Sequence, residues 1–444
     1  MIITQTGVSS NVIFAQDGTE FVVNGVVTNL DNTASAAVTS GFAVSSLTNH
    51  GTIAAFGAGA AVEFALGGTI TNHSVISGVV VTRAGLTYTN NGRHVGVVAA
   101  LPADALTGAT ITNTGVMVAA PSAAWYSGTN WMMVLSGAAD TVVNRGKIVG
   151  DIQLGEGANT FDGRGGTLLG TVYGGGGNDT YYINQATAIV DSGGTDTLIA
   201  RFTTTLQTGI ENLTLGGFGN FRGIGNTANN VLTGNISSNL LDGLGGDDTL
   251  IGGKGADTLL GGTNSDNLDG GNGNDLVNGG FGNDTVAGDD GNDTVIGDTG
   301  SDLLTGGLGN DVLSGDIGAD TMDGGAGDDV LTGGAFGTDV MTGGDGADRF
   351  VFASVNDSFA THAADIISDF QTGLDRIDLS ALIGGVFGFD GLGPLSGVGP
   401  SINLTASVGA AIVRIDLDGN GLADMQIVLA NVLPIDLTMG DFIL

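Results

Sequence analysis

The sequence predicts an all-β protein: a parallel β-solenoid or β-helix in its N-terminal part that continues into a second, acid-rich parallel β-roll, capped by a small β C-terminal domain. Three observations predict this class. Glycine fills 82 of 444 positions with only 5 prolines and no G-X-Y period, so the glycines belong to ordered turns rather than to a collagen-like helix. Apolar residues make up 41%, more than a disordered chain carries. The chain also repeats itself, with a period of nine from Gly225 to Val351 and a looser one of roughly 20 to 30 residues before it.

Charge divides the chain. Asp and Glu number 46 against 11 Lys and Arg, a formal net charge of −35. Residues 1–150 carry only six acids and four bases, whereas 234–351 carry 22 Asp, no Glu, and just Lys254 and Arg349. Together with the repeats this divides the chain into a β-solenoid (1–150), a transitional segment (151–224), a nonapeptide β-roll (225–351) and a C-terminal cap (352–444). So acidic a chain repels nucleic acid and anionic membrane surfaces and attracts cations. It has no cysteine, hence no disulfide and no thiolate metal site. No apolar run reaches the roughly 18–20 residues of a spanning helix.

In the first segment "VVTNLDN", "SLTNHGTI", "TITNHSVI", "TYTNNGRHV", "TITNTGVMV" and "TVVNRGKIVGDI" share an apolar-Thr-Asn theme at Asn29, Asn49, Asn72, Asn90, Asn113 and Asn144. A strand, an Asn-Gly-type turn and another strand per coil predict a parallel β-solenoid with a ladder of stacked Asn side chains. These repeats resemble bacterial adhesin-like β-helices. The following stretch, "GDIQLGEGANTFDGRGGTLLGTVYGGGGNDTYY", changes repeat style without a linker and ends in an isolated nonapeptide copy at 174–182.

From Gly225 the frames run "GNTANNVLT", "GNISSNLLD", "GLGGDDTLI", "GGKGADTLL" and onward to "GGDGADRFV", with one ten-residue frame, "GGAFGTDVMT". The Gly-rich half of each unit is a turn, and the remaining residues form a short strand with one aliphatic side chain inward. Two units make one circuit, so a unit stacks on the one eighteen residues later, about 4.8 Å away. The sixth-position acids are Asp248, Asp257, Asp266, Asp275, Asp284, Asp293, Asp302, Asp311, Asp320, Asp329, Asp339 and Asp348. Stacking sets them in two like-charged columns, where neighbours repel by about 3 kcal/mol at an effective dielectric of 20. With Lys and Arg nearly absent, the counter-ion is not protein: a hard divalent cation fits, the alternative being solvated acidic turns with no bound ion. Carboxylates and glycine-turn carbonyls form an all-oxygen shell that suits Ca²⁺.

The frame GGxGxDxUx resembles the RTX (repeats-in-toxin) nonapeptide, and the stretch 193–217, "GGTDTLIARFTTTLQTGIENLTLGG", is similar to the spacer that precedes such blocks. The resemblance implies a parallel β-roll binding several Ca²⁺ between its turns, with ions taken from the medium after export. It assigns as ligands the sixth-position Asp residues and Asp179. Asn at 239 leaves the lead-in frames without that acid, and the extra residue in 333–342 leaves its local ion open.

The segment 349–382 resembles the C-terminal region of serralysin-type secreted proteins. In "DLDGNGLADMQIVL" Asp416, Asp418, Asn420 and Asp424 stand at positions 1, 3, 5 and 9 of an EF-hand-like loop lacking its twelfth-position Glu. It reads either as an ion site or as an Asx-rich hairpin. The terminal "DFIL" resembles an uncleaved type I secretion signal and equally suits a last strand. No Sec-type leader is visible. The expected partners are therefore calcium ions, type I secretion machinery, and either further copies of this chain joined end to end or a cell-surface glycan. The expected location is extracellular or at the cell surface.

No catalyst stands out. None of His50, His73, His94 and His362 sits in H-E-x-x-H, and no Ser sits in G-x-S-x-G. His50 and His73 read as turn residues. Arg83, Arg93 and His94 are the best basic cluster, and a polysaccharide lyase or epimerase of β-helix type with an RTX tail would use them to neutralise an acidic sugar. Trp125, Tyr126 and Trp131 either stack on a sugar or seal a coil end. The sequence thus favours a secreted, non-enzymatic calcium-binding protein with a structural, surface-assembly or adhesive role over that enzyme.

Overall fold

A computed structural model describes residues 2–5, 12–14, 20–24, 26–29, 38–40, 45–55, 60–64, 68–82, 85–100, 108–119, 130–135, 138–358, 364–382 and 387–444. Arg83, Trp125, Tyr126 and His362 lie outside this set. Almost every pairing is parallel, and the described helical residues are two short 3₁₀ turns near the C-terminus. The all-β, parallel solenoid class read from the sequence is the class observed. The chain forms two compact units, Met1–Phe202 with Leu206–Asn212, and Thr203–Thr205 with Leu213–Leu444.

The first unit is a three-sided coil. One circuit is Leu86–Asn90, Arg93–Val95 and Val98–Ala100, and each strand pairs in parallel with its counterpart in the neighbouring coils. Register holds the inward row together: Tyr88, Ile111, Val142, Phe161, Tyr181 and Leu198 follow one another through successive coils, all buried. Burial of each such side chain contributes about 1.5–3 kcal/mol. The Asn ladder is present. Asn49 donates through Nδ2 to Asn72 Oδ1 (2.8 Å), Asn72 to Asn90 (2.8 Å), Asn90 to Asn113 (2.8 Å) and Asn113 to Asn144 (2.9 Å). Each Asn closes a strand, and Asn72 Oδ1 also accepts from Ser74 N, so one amide pins both the coil spacing and the turn. The side chain of Asn29 lies outside the described set.

The second unit is two-sided. In the nonapeptide region strands lie alternately on two parallel ladders, and each pairs with the strand eighteen residues on, as in Thr249↔Asn267 and Thr258↔Leu276. The inward row is Leu250, Leu268, Val286, Leu304, Met322 and Met341 on one side and Leu241, Leu259, Val277, Val295, Leu313, Leu331 and Phe350 on the other. The strands are longer than the frame suggests. Leu303–Leu308, for example, runs on into the next frame's glycines, and Gly306 is itself buried. The ten-residue frame is absorbed at an exposed turn, where Phe336 has φ 65° and the pairing Thr321↔Val340 spans nineteen residues.

Both ladders continue past Val351. Asp365–Ile367 extends one and Arg376–Asp378 the other. The first then passes to the antiparallel strands Met425–Ala430, Ala410–Asp416 and Ser401–Ser407, and the second ends on Phe442–Ile443.

Candidate metal centres

Asp311 in "GGLGNDVLS" (306–314) shows how one frame works. Its backbone N–H donates to Asp329 Oδ1 (2.8 Å) and its own Oδ1 accepts from Asp293 N (2.7 Å), so each carboxylate clamps its neighbour in the stack. Its other oxygen, Oδ2, is buried without a hydrogen-bond partner. A Cβ added at Gly306 would stand 2.5 Å from that Oδ2 and 2.5 Å from the carbonyl oxygen of Gly324 in the next coil. Two acceptors therefore face one space that exists only because residue 306 is glycine. The other glycines have a different cause. Positions two and four of the frame, Gly307 (φ 115°) and Gly309 (φ 126°), occupy the left-handed region that side chains disfavour.

The twelve sixth-position acids fall into two columns. Asp248, Asp266, Asp284, Asp302, Asp320 and Asp339 form one, each N–H donating to the next carboxylate. Asp257, Asp275, Asp293, Asp311, Asp329 and Asp348 form the other. All are buried, and Oδ2 has no hydrogen-bond partner in every one of them except Asp339. Among the described residues the ion pairs of this unit, Arg222–Asp242 and Arg349–Asp378, involve none of these acids. Burial pushes Asp266 and Asp320 up to about 7, and Asp248, Asp275, Asp302, Asp311, Asp329, Asp339 and Asp348 up to about 6. Neighbouring carboxylates reinforce these shifts, and the backbone donor opposes them. The donor set, anionic and carbonyl oxygens with no cationic side chain, fits Ca²⁺.

At the start of the columns the acid is replaced. Asn230 and Asn239 donate their backbone N–H groups to Asp248 and Asp257. The Asn239 amide nitrogen donates to the carbonyls of Gly219 and Phe221 in the preceding coil, and its Oδ1 accepts from Asn235 N, so this neutral side chain is satisfied within the protein. At the other end the columns extend beyond the nonapeptides, through Asp365 (N–H of Asp339, 2.9 Å) and Asp375 (N–H of Asp348, 3.1 Å). Asp365 Oδ2 is again unpartnered, and burial pushes this group up to about 8. Sequence reasoning missed both because no glycine frame surrounds them. The signal that finds them is Asp two residues before an inward aliphatic, Asp365–Ile367 and Asp375–Ile377, the same spacing as Asp311–Leu313.

Asp179 sits in a similar column within the first unit. Asp140 N donates to Asn159 Oδ1 (2.8 Å), Asn159 N to Asp179 Oδ1 (2.7 Å), Asp179 N to Asp196 Oδ1 (2.7 Å) and Asp196 N to Glu211 Oε2 (2.9 Å). Asp140 and Asp196 also obey the Asp-x-aliphatic spacing, with Val142 and Leu198 inward.

The loop of Asp416, Asp418, Asn420 and Asp424 closes an antiparallel hairpin. Asp416, Asp418 and Asp424 each offer an oxygen within 4.8 Å of the others. Most of that capacity is used locally. Asp416 accepts from the N–H groups of Gly419, Asn420 and Gly421, Asp418 from Asn420, and Asp424 from Leu417. Asp441 of "DFIL" is buried in a capping box with Thr438 and accepts from Gly373 N, while Phe442 pairs with Ile377.

Of the basic cluster, Arg93 and His94 are described, and they do not share a surface. His94 is fully buried, its Nδ1 2.9 Å from the Tyr88 hydroxyl, and Arg93 beside it is exposed. His50 and His73 stack at an exposed turn with ring centroids 4.8 Å apart, as turn residues of successive coils do. Trp131 packs edge-on to Tyr173.

The family model that matches is that of the RTX calcium-binding nonapeptide repeat, at residues 171–182 and, in overlapping segments, 224–259, 260–295, 296–331, 314–350 and 334–359. No curated protein matches the chain. Solved structures with local similarity include two subunits of one enzyme. The AlgE6R3 subunit of the Azotobacter vinelandii mannuronan C5-epimerase is 34% identical over 34% of this chain and 81% of its own, with a TM-score of 0.27. The AlgE6R2 subunit of the same enzyme is 32% identical over 34% of this chain and 91% of its own, with a TM-score of 0.28.

Proposed function

From the premise that this chain is an RTX calcium-binding protein, we propose that calcium couples its folding to export, and that it serves outside the cell in a non-catalytic structural, surface-assembly or adhesive role. The observation that carries this reading is the pair of carboxylate columns. Eleven of their twelve Oδ2 atoms are buried without a hydrogen-bond partner. Without cations the columns are self-repelling and the second unit is disfavoured. With them the fold gains stability by mass action, because the ions bind the folded state alone. Extracellular calcium modules bind at about 10⁻⁴–10⁻³ M, a range that leaves the chain unfolded where calcium is scarce and folds it in the medium. Such a chain suits passage through a type I exporter. The first unit, with few charges and a continuous Asn ladder, supplies a rigid body for surface display, contact with a glycan, or end-to-end assembly. The burial of His94 removes one of the three groups on which the carbohydrate-active enzyme reading rested.

The test is a calcium titration of chelator-treated full-length protein, followed by far-UV circular dichroism and light scattering, with Mg²⁺ as control. β-Structure that appears with Ca²⁺ and not Mg²⁺, with mass rising into large assemblies, supports the reading. Full β-structure before any Ca²⁺ is added overturns it.

A further inference from the structure

The first unit holds a carboxylate cluster for which the nonapeptide frame does not account. Asp179 belongs to that frame. Asp191 and Asp196 belong instead to the segment "IVDSGGTDTLIA" (189–200), which does not follow the nine-residue pattern. The three acids are 1%, 8% and 0% exposed, and each offers an oxygen within 4.8 Å of the other two. Tyr181, from the inward row, donates its hydroxyl to Asp191 Oδ2 and lies 3.3 Å from Asp179 Oδ2.

Two further observations point to a ligand. Asp196 uses Oδ1 to accept from Asp179 N, but its Oδ2 is buried with no hydrogen-bond partner. Oxygens of Tyr181, Asp191 and Asp179 also converge on a space that residue 174 leaves open. A Cβ at Gly174 would collide with the Tyr181 hydroxyl, Asp191 Oδ2 and Asp179 Oδ2 together. Among the described residues the ion pairs of this unit gather on Asp162, through Arg145 and Arg164, and none reaches the cluster.

We propose that Asp179, Asp191 and Asp196, with the Tyr181 hydroxyl, form a separate hard-cation site in the first unit, selective for calcium-sized ions and lanthanides and independent of the two columns of the second unit. Three carboxylates with oxygens within 4.8 Å of one another stand here beside a phenol, whereas each link of a column brings one new carboxylate. The charge density is higher and the donors are all oxygen. Ca²⁺ accepts such an irregular shell at about 2.3–2.6 Å, whereas Mg²⁺ demands a small regular octahedron. Tyr181 keeps its proton and turns a lone pair toward the ion.

The sequence supplies a selective probe. All five tyrosines and both tryptophans lie between residues 88 and 182, so the second unit contains neither. Terbium emission excited through tyrosine therefore reads the first unit alone. In full-length, decalcified protein Tb³⁺ should give saturable sensitised emission that Ca²⁺ displaces and Mg²⁺ does not. Asp196→Asn and Asp191→Asn should each raise the midpoint by about tenfold or more, equivalent to about 1.4 kcal/mol, with circular dichroism in saturating calcium unchanged. Asp311→Asn in the second unit should leave that midpoint where it is, so failure of the column reading and failure of this one are seen separately. A wild-type midpoint in a folded Asp196→Asn protein, or equal displacement by Mg²⁺, overturns the proposal. If Asp196→Asn does not fold, Tyr181→Phe decides the matter without changing charge. Emission falls severalfold if the ion sits beside residue 181, and an unchanged signal overturns the site.

Discussion

Asp311 takes a 2.7 Å hydrogen bond from the backbone of Asp293, eighteen residues earlier, on one carboxylate oxygen and leaves the other buried and unpartnered. One side chain thus combines two roles. Oδ1 sets the spacing of the coils, and Oδ2 supplies charge to the gap between them.

Replacement of Asp311 by Asn separates these roles. The amide oxygen still accepts from Asp293, and the amide nitrogen that replaces Oδ2 faces the carbonyl of Gly324. Calorimetry should show fewer ions bound, with β-structure less dependent on calcium. An unchanged stoichiometry would place the ions away from this column.

Gly306→Ala and Gly309→Ala should fail differently. Gly306 has an ordinary backbone conformation, and its new methyl fills the space between Asp311 Oδ2 and Gly324 O. That variant should fold less readily with calcium, and its cost arises where the methyl meets the Gly324 carbonyl of the next coil rather than from its own φ. Gly309, at φ 126° and against the carbonyl of Gly291, should lose about 1–3 kcal/mol of stability from strain alone. The comparison is made by calcium titration and by urea unfolding in saturating calcium. Identical behaviour in both assays would refute the division of labour among the glycines.

The columns also dictate a pH response. Burial raises these carboxyls in the fold to about 6–7, above their unfolded value. Protonation therefore favours the ion-free fold, and that contribution is complete below the unfolded value and lost as pH rises through 6–7. Calcium-free protein should gain β-structure on acidification from about pH 8 to about pH 5, and calcium affinity should rise with pH over the same interval. Circular dichroism that stays flat across this interval in metal-free buffer would contradict the assignment.

His94 has the opposite sign. Burial depresses it to about 4, so the stability it permits is present above its unfolded value, near 6.5, and declines as pH falls toward 4. A double replacement, Tyr88→Phe with His94→Leu, removes the buried polar pair and should extend the acid range of the first unit. Thermal melts at about pH 4.5 and about pH 7.5 in saturating calcium test this, since the variant should narrow the difference between them.

Within the ladder, Asn90→Ala removes the acceptor for Asn72 and the donor to Asn113, both buried. A stranded buried amide costs about 1–3 kcal/mol per group. Denaturant unfolding of the variant should show a loss of at least that size, and a neutral result would make the ladder a consequence of stacking rather than a cause.

Much of this is legible in the sequence because a solenoid turns period into spatial proximity. A period of nine with two units per circuit places Asp293 under Asp311, and the recurring Asn does the same for Asn72 and Asn90. Legibility stops where the period stops. Asp365 and Asp375 continue the columns across separations of 26 and 27 residues, which no frame marks. Asp191 and Asp196 are brought to Asp179 by coils of unequal length. His94 reads as a surface base because it stands beside Arg93, yet it occupies an inward position of Arg93–Val95.

The stack follows from the repeat alone: strand and turn alternate at fixed spacing, so residues one period apart meet and their charges add. Which oxygen of each carboxylate is used, where the columns end, and which non-repeating acids join them emerge in the folded chain. Those outcomes depend on the path of the chain between coils. That path is set by packing around the inward row, and local pattern carries no record of it.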